Sequence, residues 1–312
     1  MNITDQHQLK GNFLESKQIT KDTLEEGKLI EGDTLSVLNK IDDNVVNVGV
    51  TSPPYNKQEK HKGWLVKNVV YDVYKDAVPE PEYQQHQVDV LNEIYRVTAP
   101  GGSFFYNHKV RWERGNMYHP MDWLRKTEWT VKQEIIWDRM IAGNIRGWRF
   151  WQVEERIYWL YKPIDNKLIG TELRSCDAKL TSIWRGVPEN GKNNPHPAPF
   201  PLWLPARVII SILDTETQGV VLDPYIGSGT TAVAAKLLGH KYIGIDRSEE
   251  YMKMTIDRLD NAHSEMSKIQ EELGLHQVEM TFKERKSKGK NVGKYRNTDD
   301  ESKTDQPSLF EQ

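Results

Sequence analysis

The run Val45-Val46-Asn47-Val48-Gly49-Val50 is short, β-branched and nearly free of polar interruption, the pattern of a strand buried on both faces. It stops at Thr51-Ser52-Pro53-Pro54-Tyr55-Asn56, because two prolines cannot continue a central strand. A stiff polar loop is therefore expected at a strand's carboxyl end. Upstream, KLIEGDTLSVLNKI predicts a short strand around Leu29 and Ile30, a turn at Gly32 and a helix with Asp33 as N-cap. Downstream, Val88, Leu91, Ile94, Tyr95 and Val97 hold helical spacing over 82–97 until Pro100-Gly101-Gly102 ends it before the strand-like SFFYN. A helix near 120–127, a strand from Val131 to Trp137 and a strand in VEERIYWLYK follow. Residues 164–198 are polar, rich in Asn, Gly and Pro and without strong periodicity. They read as an insertion that carries specificity.

From Leu202 the pattern sharpens into a helix through Leu213, the strand GVVLD, a glycine turn, the helix TTAVAAKLL, the strand KYIGID and a helix from Ser248. This alternation predicts an α/β fold, a doubly wound and mostly parallel sheet covered on both faces. The expected organisation is a polar N-terminal extension at 1–24, a catalytic domain at 25–262 and a charged C-terminal tail at 263–312. Past residue 283 apolar residues are too sparse to repay the entropy of ordering, so the tail is expected to be largely disordered.

Composition narrows the function classes. A chain of 312 residues suits one large core. No apolar run approaches the roughly 18 residues of a membrane span, and the polar start lacks a secretory signal's apolar centre, so a cytoplasmic location is expected. Cys176 is the sole cysteine, which excludes an intrachain disulfide and any CxxC site. The nine histidines show no HxxxH spacing, and no metal is expected. The net charge of −3 argues against a protein that coats nucleic acid nonspecifically. Even so, Lys57, Lys60, Lys62, Lys67, Lys109, Arg111, Arg114, Arg139, Arg146 and Arg149 fall in the middle of the chain, which leaves room for a local basic face. Between Trp137 and Trp151, Arg139, Arg146 and Arg149 mix with Trp148, Phe150 and Trp151. Two readings stand there, phosphate contact with base stacking or tryptophans in the core beside a solvated edge.

Two motifs carry chemistry. Asp223-Pro224-Tyr225-Ile226-Gly227-Ser228-Gly229-Thr230-Thr231-Ala232 follows a strand and opens a helix, and Gly227, Gly229 and Ala232 match G-x-G-x-x-A. Such glycines let the backbone turn tightly against a ligand, while Asp246 ends the next strand, where a carboxylate grips ribose hydroxyls. An adenosine-type cofactor is implied, NAD or S-adenosylmethionine (AdoMet). Asp223 just before the glycines would repel a pyrophosphate but suits the ammonium group of AdoMet.

The second motif is the Ser52-Pro53-Pro54-Tyr55 loop. An amino group conjugated to a base ring is a poor nucleophile until its lone pair is drawn out of the ring. The Ser52 side chain and the Pro53 carbonyl, stiffened by Pro54, are acceptors for its two N–H bonds, and Tyr55 offers a face for an extruded base.

With these motifs the chain resembles the DNA amino-methyltransferases of the N4-cytosine/N6-adenine family, in the permuted order where Ser-Pro-Pro-Tyr precedes the glycine motif. The resemblance covers roughly residues 28–262 and rests on Gly32-Asp33, Thr51 to Asn56, His196 to Pro201, Asp223 to Thr231 and Tyr242 to Asp246. Tyr225 stands where the family usually has Phe. The resemblance implies catalysis by Ser52, Pro53, Pro54 and Tyr55, and AdoMet held by Asp33, Asp223, Tyr225, Gly227, Gly229, Thr230 and Asp246. In the family, the His-Pro segment and the glycine motif touch the methionine part of AdoMet and the last acid holds its ribose. The implied substrate is DNA, with cytosine N4 favoured by Ser52 and adenine N6 the alternative. A nicotinamide-dependent dehydrogenase is the rival from another class, and Ser-Pro-Pro-Tyr has no role in it. Near the end, Gln306-Pro307-Ser308-Leu309-Phe310 resembles the Gln-x-Ser-Leu-Phe peptides by which bacterial DNA-processing proteins dock on the replication sliding clamp. Pro307 departs from the usual leucine.

Overall fold

The computed structural model describes residues 18–56, 78–113, 115–142, 147–164, 181–188, 199–213, 218–276 and 287–289. Cys176, His196 to Ala198 and the clamp-like segment Gln306 to Phe310 lie outside the described residues.

The chain order is β1 (Gly27–Glu31), α1 (Thr34–Leu38), β2 (Val46–Thr51), α2 (Glu80–Val97), β3 (Thr98–His108), a small hairpin β4 (Arg111–Glu113) and β5 (Asn116–Tyr118), and α3 (Met121–Leu124). Then come β6 (Thr130–Asp138), β7 (Glu154–Tyr161), β8 (Ile183–Arg185), α4 (Trp203–Ile212), β9 (Val220–Asp223), α5 (Thr230–Leu237), β10 (Lys241–Asp246), α6 (Glu249–Asp260) and α7 (Met266–His276).

The sheet order is β1-β10-β9-β2-β3-β7-β6-β8. Every neighbouring pair is parallel except those made by β7, which runs against both β3 and β6. This is the mostly parallel α/β sheet that the sequence predicts. Alternation in β3 supplies both faces: Phe104 and Tyr106 join α1, α2 and α3 on one side, while Phe105 joins α4, α5 and α7 on the other. Gly49 is required where β2 crosses the sheet centre, because a Cβ there would stand 2.4 Å from the Phe104 ring.

Three boundaries differ from the sequence reading. The polar extension is tied in from Ile19, which bridges to Ile41 and is buried with Leu24. Part of the 164–198 insertion is sheet, since β8 extends the edge beside β6 and buries Trp184. The folded unit also runs beyond residue 262, where α7 buries Ile269 and pairs Glu272 with Arg207 of α4 at 2.7 Å. Met266, Ile269 and Leu273 keep helical spacing there, a signal that the sequence reading passed over. Among the described residues no helix is long and apolar enough to cross a membrane.

Candidate active site

β2 and β9 are adjacent and parallel, so their carboxyl ends bring the two motif loops together. Asp223 joins them. Its Oδ1 accepts from Thr51 Oγ1 at 2.6 Å and from the Tyr225 backbone N–H at 3.1 Å, and its Oδ2 accepts from Thr231 Oγ1 at 2.5 Å. Burial pushes the carboxyl up to about 6, against the pull of these three donors. Through these bonds Asp223 pins the Ser-Pro-Pro-Tyr loop to the glycine loop.

The glycine turn has the shape its sequence demands. Gly229 sits at φ 80° and N-caps α5, and a Cβ on it would stand 2.7 Å from Thr255 Cγ2. Asp246 Oδ2 accepts from Gly227 N–H at 2.9 Å, its Oδ1 accepts from Ser248 N–H at 2.9 Å, and its carbonyl accepts from Gly32 N–H at 2.8 Å. Thr34 Oγ1 donates to the Pro224 carbonyl at 2.9 Å. Gly32, Asp33, Tyr225, Gly227 and Asp246 are thereby gathered at the carboxyl ends of β1, β9 and β10. Asp33 is the N-cap of α1, accepting from Ser36 N–H at 3.1 Å, and is ion-paired with Arg247. Burial raises its carboxyl, but the Arg247 and Ser36 contacts more than offset this and leave it below the ordinary value. Thr230 is buried and its hydroxyl accepts from Arg258 of α6 at 2.7 Å, so it braces the loop from behind.

At the Ser-Pro-Pro-Tyr loop, Ser52 Oγ lies 2.5 Å from the Tyr55 hydroxyl, which donates to Glu155 Oε2 at 2.9 Å. Tyrosine has one hydroxyl proton, so with that proton on Glu155 the Ser52 hydroxyl must donate to Tyr55. The half-buried Ser52 Oγ then has no proton to offer and is left as an acceptor. Asn107 at the end of β3 donates to Tyr55 Oη at 3.0 Å, to Glu155 Oε2 at 2.8 Å and, more distantly, to Ser52 Oγ at 3.4 Å. Glu155 Oε1 is 3.0 Å from both Lys109 Nζ and Arg139 Nη1. Burial raises this carboxyl, yet the two cations and Asn107 overcome it and hold it at about 2.

The remainder of the loop is clamped. Tyr83 donates to the Pro54 carbonyl at 2.8 Å, and Asn56, at φ 52°, holds the Val78 backbone from both sides. Pro53 is buried. Tyr55 is only 5% exposed and packs on His108 at 4.5 Å between ring centroids. It is therefore not the open platform its sequence context suggests.

Sequence reasoning missed Asn107, Glu155 and Tyr83. A carboxylate at the head of the apolar strand in VEERIYWLYK is the one signal it offered for Glu155. Of the central basic residues, Lys109 and Arg139 are matched to Glu155, and Arg111 to Glu80 at 2.7 Å. Among the described residues no group of three or more His, Cys, Asp or Glu side chains is placed to hold a metal.

The fold and these two loops define a class, a Rossmann-like methyltransferase with a Ser-Pro-Pro-Tyr site at the sheet's switch point. The DNA methylase model of the N6/N4 methyltransferases matches residues 46–257, and the chain belongs to that family. It is a DNA methyltransferase, of a family whose methyl donor is S-adenosyl-L-methionine. It is 27% identical over 268 residues to the type II methyltransferase M.BglII of Bacillus subtilis, covering 76% of this chain and 70% of that one. It is also 27% identical over 261 residues to the DNA adenine methyltransferase YhdJ of Escherichia coli K12, covering 75% and 83%. Among solved structures, the cytosine-N4-specific PvuII DNA methyltransferase superposes with a TM-score of 0.59 at 17% identity, over 79% of this chain and 93% of that one. TTHA0409 of Thermus thermophilus, in complex with S-adenosyl-L-methionine, superposes with a TM-score of 0.55 at 23% identity, over 76% and 95%. These two structures speak to the fold. Family membership leaves the dehydrogenase reading without support.

Proposed function

We propose that this chain methylates the exocyclic amino nitrogen of a base swung out of duplex DNA, with cytosine N4 as the target. The observation that carries this reading is the hydrogen-bond chain linking Ser52, Tyr55 and Glu155, in which Tyr55 donates to the Glu155 carboxylate and so takes the Ser52 hydroxyl as its own donor. An ionised Glu155 orders both hydroxyl protons inward, so that Ser52 Oγ can only accept. With the Pro53 carbonyl it takes the two N–H bonds of the incoming amino group and favours the pyramidal nitrogen needed for attack. AdoMet supplies a methyl group on a positively charged sulfur, whose charge disappears on transfer, so no strong general base is needed. The glycine loop's left-handed turn and the Asp246 carboxylate at the strand end suit such a cofactor. In this reading Gly227 and Gly229 give it room, Asp246 and Asp33 border its ribose side, and Asp223 and Thr230 act by holding the loop.

Cytosine N4 is preferred because Ser52 heads the Pro-Pro-Tyr loop, as in the cytosine enzymes of the family. Similarity to YhdJ, an adenine enzyme by name, favours adenine N6 as the second reading. The chemistry is tested with Ser52→Ala. Turnover is expected to fall by on the order of a hundredfold while calorimetry finds AdoMet affinity unchanged. Near-normal turnover would remove Ser52 from the mechanism.

A further inference from the structure

Between β6 and β7 the chain leaves the sheet after Asp138 and returns at Glu154. The described part of this connection is exposed and aromatic, where surface loops are ordinarily polar. Phe150 is 98% exposed, Trp148 58% and Trp151 59%. The β4–β5 hairpin adds to it, because Trp112, cross-strand partner of the exposed Met117, meets Trp148 edge to face at 6.4 Å. The Arg149 guanidinium lies 4.1 Å from the Trp112 ring centroid and 5.6 Å from that of Trp148. A cluster of this kind on a solvated surface marks an interaction site.

Topology fixes which edge it occupies. β7 is antiparallel to both β3 and β6, so β6 ends on the same side as β3 and β2, where the Ser-Pro-Pro-Tyr loop stands. The connection is anchored there at both ends: Arg139 reaches the Glu155 carboxylate that Tyr55 also contacts, and Gln152 Nε2 donates to the Val110 carbonyl at 3.2 Å.

We propose that Trp148, Arg149, Phe150 and Trp151, with Trp112 and Met117, form the surface that receives duplex DNA at the target base pair, Phe150 filling the gap left in the stack. The inference rests on the reading that the base is methylated outside the helix. Duplex DNA is the occupant because the surface stands on the sheet edge where a base must enter and is tied to that site through Arg139 and Glu155. Flat aromatic faces beside a guanidinium suit unstacked bases and the adjoining phosphate. Phe150 touches water almost everywhere, so it adds nothing to the core and is free to meet a partner.

The test uses the full chain, as wild type, Phe150→Ala and the double variant Trp148→Ala/Trp151→Ala. Duplex binding is read by anisotropy on labelled linear plasmid DNA. Single-turnover methyl transfer is read on a duplex carrying the site found by sequencing DNA from expressing cells, and on the same duplex with a mismatch at the target base. Both variants are expected to lose about tenfold or more in binding and transfer, with AdoMet affinity by calorimetry unchanged. The mismatch, which lowers the cost of extrusion, is expected to restore much of the transfer by Phe150→Ala. Variants that bind and methylate matched DNA like the wild type overturn the proposal. So does a wild type that does not bind plasmid DNA, or one that is a dimer in sedimentation which the variants split without weakening DNA binding. Binding that depends on these residues in a chain that transfers no methyl would uphold this surface and refute the methylation reading instead.

Discussion

Tyr55 has two separable parts, a ring packed on His108 and a hydroxyl placed between Ser52 and Glu155. Tyr55→Phe keeps the first and removes the second, so Ser52 is no longer forced to present lone pairs. Turnover is expected to fall by roughly three- to tenfold, the worth of one ordinary hydrogen bond, with KM for DNA nearly unchanged. Equal kcat in steady-state kinetics would reduce Tyr55 to its ring. The two buried carboxyls of the site titrate in opposite senses. Glu155 is held at about 2 in the fold, so its stabilising contribution is full above the ordinary 4.5 and is lost as pH falls toward 2. Asp223 is raised to about 6, so its contribution is full below the ordinary 3.8 and is lost as pH rises through about 6. Melting curves from pH 3 to 8 should therefore show Glu155→Gln losing part of the wild type's acid sensitivity. Asp223→Asn should instead lose a decline between about pH 4 and 6, and identical pH profiles for the two variants would contradict both assignments.

At the scale of elements, the strands and helices that could be read in advance were those whose burial is one-sided or complete. Val46 to Thr51 became β2, Val220 to Asp223 became β9, and the glycine motif became the turn into α5, because a β-branched run or a left-handed glycine admits few other structures. What could not be read was register. Asn107 and Glu155 meet across an antiparallel pairing of β3 and β7, set by contacts between segments far apart in the chain. β8 is three residues long and shows no period, whereas α7 was legible from Met266, Ile269 and Leu273 at helical spacing and was passed over. α7 belongs to the core through Ile269 and the two-pronged Arg207–Glu272 pair, at 2.7 and 3.1 Å. Glu272→Ala strands a largely buried guanidinium and is expected to cost about 3–5 kcal/mol in urea unfolding. A loss below about 1 kcal/mol would mean that α7 is not held by that pair.

Over the whole molecule, the sheet turns a one-dimensional spacing of motifs into a single edge. The carboxyl ends of β1, β10, β9, β2 and β3 carry in sequence Asp33 and Asp246, the glycine turn, the Ser-Pro-Pro-Tyr loop and Asn107. β7 runs the other way and delivers Glu155 to that edge from its amino end. The proposed reaction is a methyl transfer at this edge to an amino nitrogen of DNA, with Ser52 accepting a hydrogen bond from one of its N–H groups. It is tested most directly by digesting DNA from cells that express the chain, or its Ser52→Ala variant, and separating the nucleosides by mass spectrometry. N4-methylcytosine present with the wild type and absent with the variant is the expected result. The claim would be contradicted by methylation of neither cytosine N4 nor adenine N6, or by modified base undiminished in the Ser52→Ala cells.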